Sequence, residues 1–164
     1  MPSIFSIIKP VIYVQISPER LTMKNLGSGE TISEIPEMAI SASPESRILA
    51  VGPQARTAAA AQSAGLVNPF AHPRSLVSDF IAAEQILKYY FRRLLGKWMS
   101  LLAPVVVMHP LGSPAGGFTQ VERRAFREMA MGAGASEVIL WIGRPLTDQE
   151  VLSRHFPQGE GEWE

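Results

Sequence analysis

Three histidines and one glycine-rich loop are the residues of this sequence that come closest to a chemical site. His72, His109 and His155 are far apart and form no HxH or HExxH pair, so their spacing does not indicate metal binding. The sequence has no cysteine, which excludes disulfides, thiolate metal sites and thiol catalysis. We therefore expect no metal site, and a structural or surface role for each histidine.

The loop over residues 111–119 (LGSPAGGFT) joins a predicted strand to a helix N-terminus, an arrangement that can hold phosphate. It fails the P-loop pattern because no lysine precedes Thr119. Glu30 and Glu34 lie in a predicted turn region without a nucleophile, and no GxSxG motif is present. The residues thus predict no catalytic site and no cofactor, and we expect the chain not to be an enzyme.

Length and charge limit the classes of protein further. The 164 residues suit one domain with one continuous core, and 46% hydrophobic residues favour a folded chain. Lys plus Arg and Asp plus Glu are both 15, so no excess of positive charge indicates a nucleic-acid partner. No apolar stretch reaches the ~18 residues of a membrane span. The apolar segment 1–9 lacks a basic leader and a cleavage site, so a signal peptide is not predicted and a cytoplasmic location is expected.

The first third of the chain has the pattern of short strands. β-Branched or alternating runs separated by Ser-Pro and Gly-Ser-Gly breaks predict an antiparallel meander over residues 11–16, 21–26, 37–41 and 47–51. The alanine-rich segment 53–64 predicts a helix that ends at Gly65, and residues 66–76, with two prolines, predict a surface loop.

The rest of the chain alternates helices with apolar strands. An apolar stripe predicts a helix over 79–95 with Asp79 as its N-cap, and residues 104–108 and 137–142 are uninterrupted apolar runs typical of buried strands. Capping boxes at Thr119–Glu122 and Thr147–Glu150 predict two further helix starts. We expect an α/β fold with a mixed sheet flanked by helices over residues 10–156, followed by a disordered acidic tail, 157–164.

The segment after the long helix stays apolar where a loop is expected. Either its large side chains pack under the sheet, or they bind a membrane or a partner beside neighbouring cations. The candidate membrane-binding residues are Trp98, Met99, Leu101 and Leu102, with Arg92, Arg93 and Lys97.

Residues 119–125 (TQVERRA) resemble MreB, the bacterial actin-like rod-shape family. The similarity continues through Arg127-Glu128, residues 132–135 (GAGA) and Glu137-Val138. Weaker matches at 50–52, 77–80 and 99–104 keep the family order. The resemblance implies the first lobe of the actin/Hsp70-type (RNase H-like) fold, and the family's adenosine pocket and second large domain would lie beyond residue 164.

The same resemblance shows where this sequence departs from the family. The family's first phosphate loop reads Asp-Leu-Gly-Thr, and Gln15, Ile16, Ser17 and Pro18 stand at those positions. The family's Glu-Glu-Pro, whose second glutamate orients the attacking water, is replaced by Gly143-Arg144-Pro145. Proline also removes a backbone N–H that would face phosphate. We therefore expect no ATP hydrolysis by this chain.

The family's membrane contact does map onto this sequence. Its apolar loop before the crossover strand matches residues 99–104, and an amphipathic N-terminus, common in the family, matches the short apolar set Ile4, Phe5, Ile7 and Ile8. The resemblance implies a cell-shape protein at the inner face of the cytoplasmic membrane. Its expected partners are the membrane surface, full-length MreB filaments or other shape-complex proteins, with self-association. The alternatives are half of an ATP-binding protein completed by a second chain, and an adaptor on the inherited fold.

Overall fold

The computed structural model describes residues 9–42, 44–97, 101–112 and 114–164. Their strands form a six-stranded sheet in the order β3-β2-β1-β7-β8-β9 and a three-stranded sheet in the order β5-β4-β6. The strands are β1 (Val11–Ile16), β2 (Leu21–Asn25), β3 (Thr31–Glu34), β4 (Met38–Ile40), β5 (Ile48–Val51), β6 (Gly65–Val67), β7 (Val105–Pro110), β8 (Glu137–Gly143) and β9 (Gly161–Trp163). The helices are α1 (Ala55–Ala61), preceded by a 3-10 turn at Gly52–Gln54, α2 (Phe80–Leu95), α3 (Gln120–Gly132) and α4 (Asp148–Ser153).

The large sheet is mixed, as the sequence predicts. β1 pairs with β2, and β2 with β3, in antiparallel register, whereas β7 lies parallel to both β1 and β8. Parallel neighbours need crossover connections, which α2 and α3 supply. α/β organisation with helices around a mixed sheet is therefore confirmed.

Alternation along β1 divides the core between the two faces of the large sheet. Ile12, Val14 and Ile16 belong to the larger cluster, together with buried residues of α2 and α3. Tyr13 points to the opposite face, where it shares a smaller cluster with Trp141 and Val151. The period of two in a strand produces this division directly.

The predicted helix starts are confirmed in atomic detail. Asp79 caps α2, since its carboxylate accepts the Ala82 N–H at 2.9 Å. Both predicted capping boxes are present, at Thr119–Glu122 and Thr147–Glu150.

The predicted meander of the first third needs correction. β4 and β5 belong to the separate three-stranded sheet. β3 is an additional strand, which comes between β2 and β4 in sequence and forms the edge of the large sheet. The loop predicted at 66–76 is wrong at its start, because β6 pairs with β4. These strands are three or four residues long and are defined by pairing with distant strands, so their local pattern is weak.

The prediction that residues 157–164 are disordered is wrong. β9 pairs with the edge of β8 in antiparallel register, and Leu140 and Glu164 exchange two backbone hydrogen bonds of 3.0 Å. Arg123 binds Glu162 at 2.6 Å, so the acidic charge that suggested a solvated tail is matched by α3. Gly161 also packs closely against the Trp141 ring, which holds this strand against β8.

Candidate functional site

A cavity of 460 Å³ lies where β1 and β7 end and α3 begins. The turn after β1, the loop before α3 and the first turn of α3 contribute to its walls. The carboxyl ends of parallel strands are the usual position of ligand sites in α/β sheets. The structure thus places Ser17, Pro18 and the Thr119 capping box in one candidate site.

The turn after β1 uses its own polar groups. The Ser17 N–H donates to the Arg20 carbonyl at 2.9 Å, and the Arg20 N–H donates to Ser17 Oγ at 3.1 Å. Pro18 has no N–H to donate. Few backbone donors therefore remain in this turn for an anion.

The acidic side chain in the cavity wall, Glu122, is also engaged in hydrogen bonds within the protein. Glu122 Oε2 accepts the Thr119 N–H at 2.9 Å, and Thr119 Oγ1 accepts the Glu122 N–H at 3.2 Å. These bonds hold the first turn of α3 and leave the carboxylate committed to it. Within the part of the chain that the structure describes, no group of three or more His, Asp or Glu side chains has the geometry to hold a metal ion.

Arg144 does not line this cavity. Its guanidinium binds both carboxylate oxygens of Glu150, at 2.6 and 3.1 Å, and also the Glu160 carboxylate. Hydrogen bonding from Arg144 is the largest cause that lowers the pKa of Glu150 to about 2. Arg144 therefore joins β8 to α4 and to the segment before β9, and it is not available to orient a water molecule.

A buried polar chain links β1, β7 and β8, and the sequence did not reveal it. Tyr13 Oη lies 2.7 Å from His109 Nδ1, and it accepts the Leu146 N–H at 3.0 Å. The Gly143 carbonyl can only accept, so His109 Nε2–H donates to it at 2.9 Å, and Nδ1 of the neutral ring then accepts the Tyr13 hydroxyl proton. Burial lowers the pKa of His109, which agrees with a neutral ring. The only signal in the sequence was a histidine next to a buried strand run.

A second polar cluster ties the large sheet to α2. Glu34 accepts hydrogen bonds from Tyr90 Oη at 2.9 Å and from Arg93 at 2.7 Å. Burial and the Glu34 hydrogen bond raise the pKa of Tyr90, so the phenol remains a donor. A Cβ on Gly52 would lie 2.5 Å from both Glu34 Oε2 and Tyr90 Oη. These bonds join β3 to α2, and they correct the predicted turn region at Glu34, which is the last residue of β3.

The predicted membrane-binding residues differ in their surroundings. Leu101 is 73% exposed, whereas the half-buried Leu102 lines an apolar crevice of 570 Å³ with Leu94, Leu95 and Leu152. The cations Arg92, Arg93 and Lys97 are exposed at the end of α2. Trp98, Met99, Ile4, Phe5 and Ile8 lie outside the described residues. None of the helices in the described ranges is both long and apolar enough to cross a bilayer.

Comparison with known proteins decides the family. The model of the MreB/Mbl protein family matches residues 20–146, which is most of the chain. This chain is a member of the MreB/Mbl family. The match begins after the Gln15–Pro18 segment and ends before α4, so the departure at the first phosphate loop and the β9 region both lie outside it.

Curated relatives carry the same family name. The chain is 35% identical over 94 residues to the cell shape-determining protein MreB of Haemophilus influenzae, covering 57% of this chain and 25% of that protein. It is 39% identical over 66 residues to MreB of Escherichia coli K12, covering 40% of this chain and 18% of that protein. The chain therefore spans about a quarter or less of the length of these relatives.

Solved structures confirm the actin-like fold of a single lobe. The crystal structure of MreB5 of Spiroplasma citri bound to ADP superposes with a TM-score of 0.63 at 22% identity, covering 80% of this chain and 37% of that one. The AMPPNP-bound structure of the same protein gives 0.60 at 21% identity, with 80% and 38% covered.

The turn after β1 and the first turn of α3 offer few free groups of the kind that hold magnesium and a nucleotide. Such a site needs free backbone donors and a carboxylate near the metal. Here the Ser17 amide is used within its turn, Pro18 has none, and Glu122 caps α3. Arg144 is held by two glutamates away from the cavity.

Proposed function

We propose that this chain is an MreB-like cytoskeletal and cell-shape protein that acts without binding nucleotide, through the membrane or a filament partner. The observation that carries the proposal is the turn after β1. The Ser17 and Arg20 amides are hydrogen-bonded within this turn and Pro18 has no N–H, in a chain of which residues 20–146 match the family model. Under this proposal the chain is not an enzyme.

The proposed location is the inner face of the cytoplasmic membrane. Exposed Leu101 supports this location. Its side chain is 73% exposed beside an apolar crevice, so it can enter lipid without first leaving the protein core. Lys97 and Arg92 lie at the end of the preceding helix and supply positive charge for an anionic surface. We propose that Trp98, Met99 and Leu102 contribute to the same membrane contact, and that Ile4, Phe5 and Ile8 contribute to a second one. Two weak contacts act together more strongly than either alone.

The proposed protein partners are full-length MreB filaments or other members of a shape complex. Large apolar side chains on two helices support an open face, since Ile81 of α2 is 73% exposed and Val121 of α3 is 78% exposed. Unpartnered apolar surface of this kind favours association with another protein or with a second copy.

Two measurements test this function. Calorimetric titration with ATP and magnesium is expected to give no binding heat, and micromolar affinity would overturn the nucleotide-independent reading. In the second measurement, the chain is centrifuged with preformed filaments of a full-length MreB relative, and we expect it in the pellet only when filaments are present. If the chain binds ATP only after a second chain is added, it is one half of an ATP-binding protein. If it binds neither filaments nor lipid, it is an adaptor with a different partner.

A further inference from the structure

The segment after α4 is attached to one edge of the large sheet. Residues 155–164, called the β9 segment below, contain β9, and in the described part of the chain β9 pairs with β8 alone. Much of the segment remains at the surface, since Glu162 is exposed and Trp163 is 62% exposed. An edge strand of this kind can leave its sheet while the rest of the core stays packed.

The carboxylates of the β9 segment are matched by arginines of the rest of the domain. On the side of α3, Glu162 binds Arg123 at 2.6 Å and Glu164 binds Arg127 at 3.0 Å. Glu160 binds Arg144, which follows β8. The edge of β8 and its surroundings therefore form a site for a strand with carboxylates at alternate positions.

The other face of the β9 segment is aromatic. Phe156 lies between Trp141 of β8 and Trp163 of β9, with ring centroids 5.6 Å from each. A Cβ on Gly161 would lie 2.5 Å from the Trp141 ring, so the site also requires glycine at this position. Glycine, an aromatic residue and alternate carboxylates together make the site selective for this sequence.

The turn that leads into the β9 segment is strained. Arg154, the C-cap of α4, has φ +55° and ψ 26°, which is left-handed backbone that side chains other than glycine, asparagine and aspartate rarely adopt. Residues 154–160 are the whole connection from α4 to β9. A short connection under strain favours exchange of the element that follows it between two copies of a chain.

We propose that two copies of this chain exchange their β9 segments, so that β9 of each copy pairs with β8 of the other in a symmetric dimer. The exchanged dimer keeps every contact of the β9 segment, because the same residues meet between copies, and it releases the left-handed turn at Arg154. The inference goes beyond the proposed function. The β9 segment lies outside residues 20–146, which match the family model, and it does not include the exposed Ile81 and Val121.

A second copy is the partner that fits this site best. It brings three carboxylates, Gly161 and Trp163 at the spacing that the site accepts within one chain. The formal net charge of the chain is zero, so two copies do not repel each other at long range.

Disulfide trapping tests the exchange directly, because the chain has no cysteine of its own. Ile142 of β8 and Glu162 of β9 are register partners. Opposite residues of an antiparallel pair have Cα atoms about 4.5–5.5 Å apart, which a disulfide can span. The Ile142→Cys chain and the Glu162→Cys chain are unfolded together in urea, refolded and oxidised. We expect a disulfide between the two chains, which neither chain can form within itself.

The matched control pairs Ile142→Cys with Leu66→Cys. Leu66 is an exposed residue of the three-stranded sheet, outside the β9 segment, so this pair reports random collision between chains. If the Ile142→Cys and Glu162→Cys chains form no more mixed disulfide than the control pair, the proposal is overturned.

The strained turn has its own readout in the dissociation constant of the dimer, measured by sedimentation of the cysteine-free chain. Arg154→Gly is expected to raise this constant about fivefold or more, because glycine adopts the left-handed turn without strain and so favours the unexchanged form. Glu137→Gln removes the ion pair that Arg154 makes at 2.9 Å and leaves the turn as it is, so a change of less than about twofold is expected. Equal effects in the two variants, or a wild-type chain that stays monomeric at high concentration, would contradict the exchange.

A last variant separates this dimer from association through the exposed helical face. Ile81→Ser/Val121→Ser, made in both cysteine-bearing chains, is expected to leave the mixed disulfide unchanged. If Ile81→Ser/Val121→Ser abolishes the dimer of the cysteine-free chain while the Ile142→Cys and Glu162→Cys chains trap nothing, the helical face accounts for self-association. The exchange is then wrong, and the proposed function stands.

Discussion

The Tyr13 phenol on β1 and the His109 imidazole on β7 are hydrogen-bonded at 2.7 Å, with their rings stacked at an interplanar angle of 11°. Burial raises the pKa of Tyr13, so its hydroxyl keeps the proton that His109 Nδ1 accepts. The other ring nitrogen donates to Gly143 at the end of β8. One neutral histidine thus joins three strands, and a proton added to Nδ1 would stop it accepting the Tyr13 hydroxyl proton.

The first prediction is a loss of stability on mild acidification. Burial lowers the pKa of His109 below its ordinary 6.5 in the folded chain, so the unfolded chain takes up the proton first as the pH falls. The contribution of neutral His109 to the free energy of unfolding is complete above pH 6.5. Below that pH it falls by at most about 1.4 kcal/mol per pH unit, because one proton is involved. Urea unfolding at several values between pH 5 and 7.5 measures this slope.

Two variants distinguish His109 from the other histidines. His109→Gln keeps a possible donor to Gly143 but does not titrate, so the slope between pH 5 and 7 is expected to disappear. His155→Gln changes an exposed histidine and is expected to retain it. A slope that survives in His109→Gln would assign the effect to another group.

Tyr13→Phe is expected to lower the free energy of unfolding by about 1–3 kcal/mol at pH 7.5, because His109 and the Leu146 N–H both lose a partner.

The sequence predicted the parts of this fold that have strong local signals. The capping boxes at Thr119 and Thr147 satisfy orphan amides within one turn of helix, so three residues suffice to recognise each. β9 has no such signal, because its stability comes from Trp141, Arg123 and the edge of β8, which are at least eighteen positions away in sequence. The Tyr13–His109 pair likewise depends on the parallel register of two strands ninety-six positions apart.

The second prediction concerns Gly52, which has a φ of +78°. Gly52→Ala is expected to lower the free energy of unfolding by about 2 kcal/mol or more, since an L residue at positive φ is strained and its Cβ would collide with Glu34 and Tyr90. Denaturant unfolding measures the change. Gly29→Ala is the matched control, because Gly29 has nearly the same φ, +77°, and nothing within 4 Å of its Cβ position. Equal losses in the two variants would mean that the collision contributes nothing.

The third prediction is that β9 can be displaced without unfolding the domain. A Cβ on Gly161 would lie 2.5 Å from the Trp141 ring, so Gly161→Val is expected to detach the strand. Amide exchange at Leu140 reports this, because its N–H donates to the Glu164 carbonyl at 3.0 Å. Exchange at Val107, in the middle of the sheet, is expected to remain slow.

Gln158→Val provides the comparison for Gly161→Val. It adds the same side chain at an exposed position of the same segment and is expected to leave Leu140 exchange unchanged. If the Leu140 amide still exchanged slowly in Gly161→Val, close packing of Gly161 on Trp141 would not be what holds β9 in place.

The last prediction concerns the loop proposed to bind the membrane. The Trp98→Ala/Leu101→Ser/Leu102→Ser variant is expected to float less with anionic liposomes than the wild-type chain. Full desolvation of one large apolar side chain contributes roughly 1.5–3 kcal/mol, and each nearby cation contributes about 1 kcal/mol at an anionic surface. Insertion of one loop is shallow and ordering it costs entropy, so the wild-type chain is expected to bind weakly and to be released by salt.

The control for this variant must separate insertion from general loss of apolar surface. Ile81→Ser/Val121→Ser removes two side chains that are at least as exposed as Leu101, but from α2 and α3, and is expected to float like the wild-type chain. Leu102 lines the crevice with Leu94 and Leu95, so folding of every variant is checked by circular dichroism. If the folded loop variant floats as well as the wild-type chain, this loop does not bind the membrane and the proposed location is wrong. If both variants lose flotation equally, the membrane recognises apolar surface in general and not this loop.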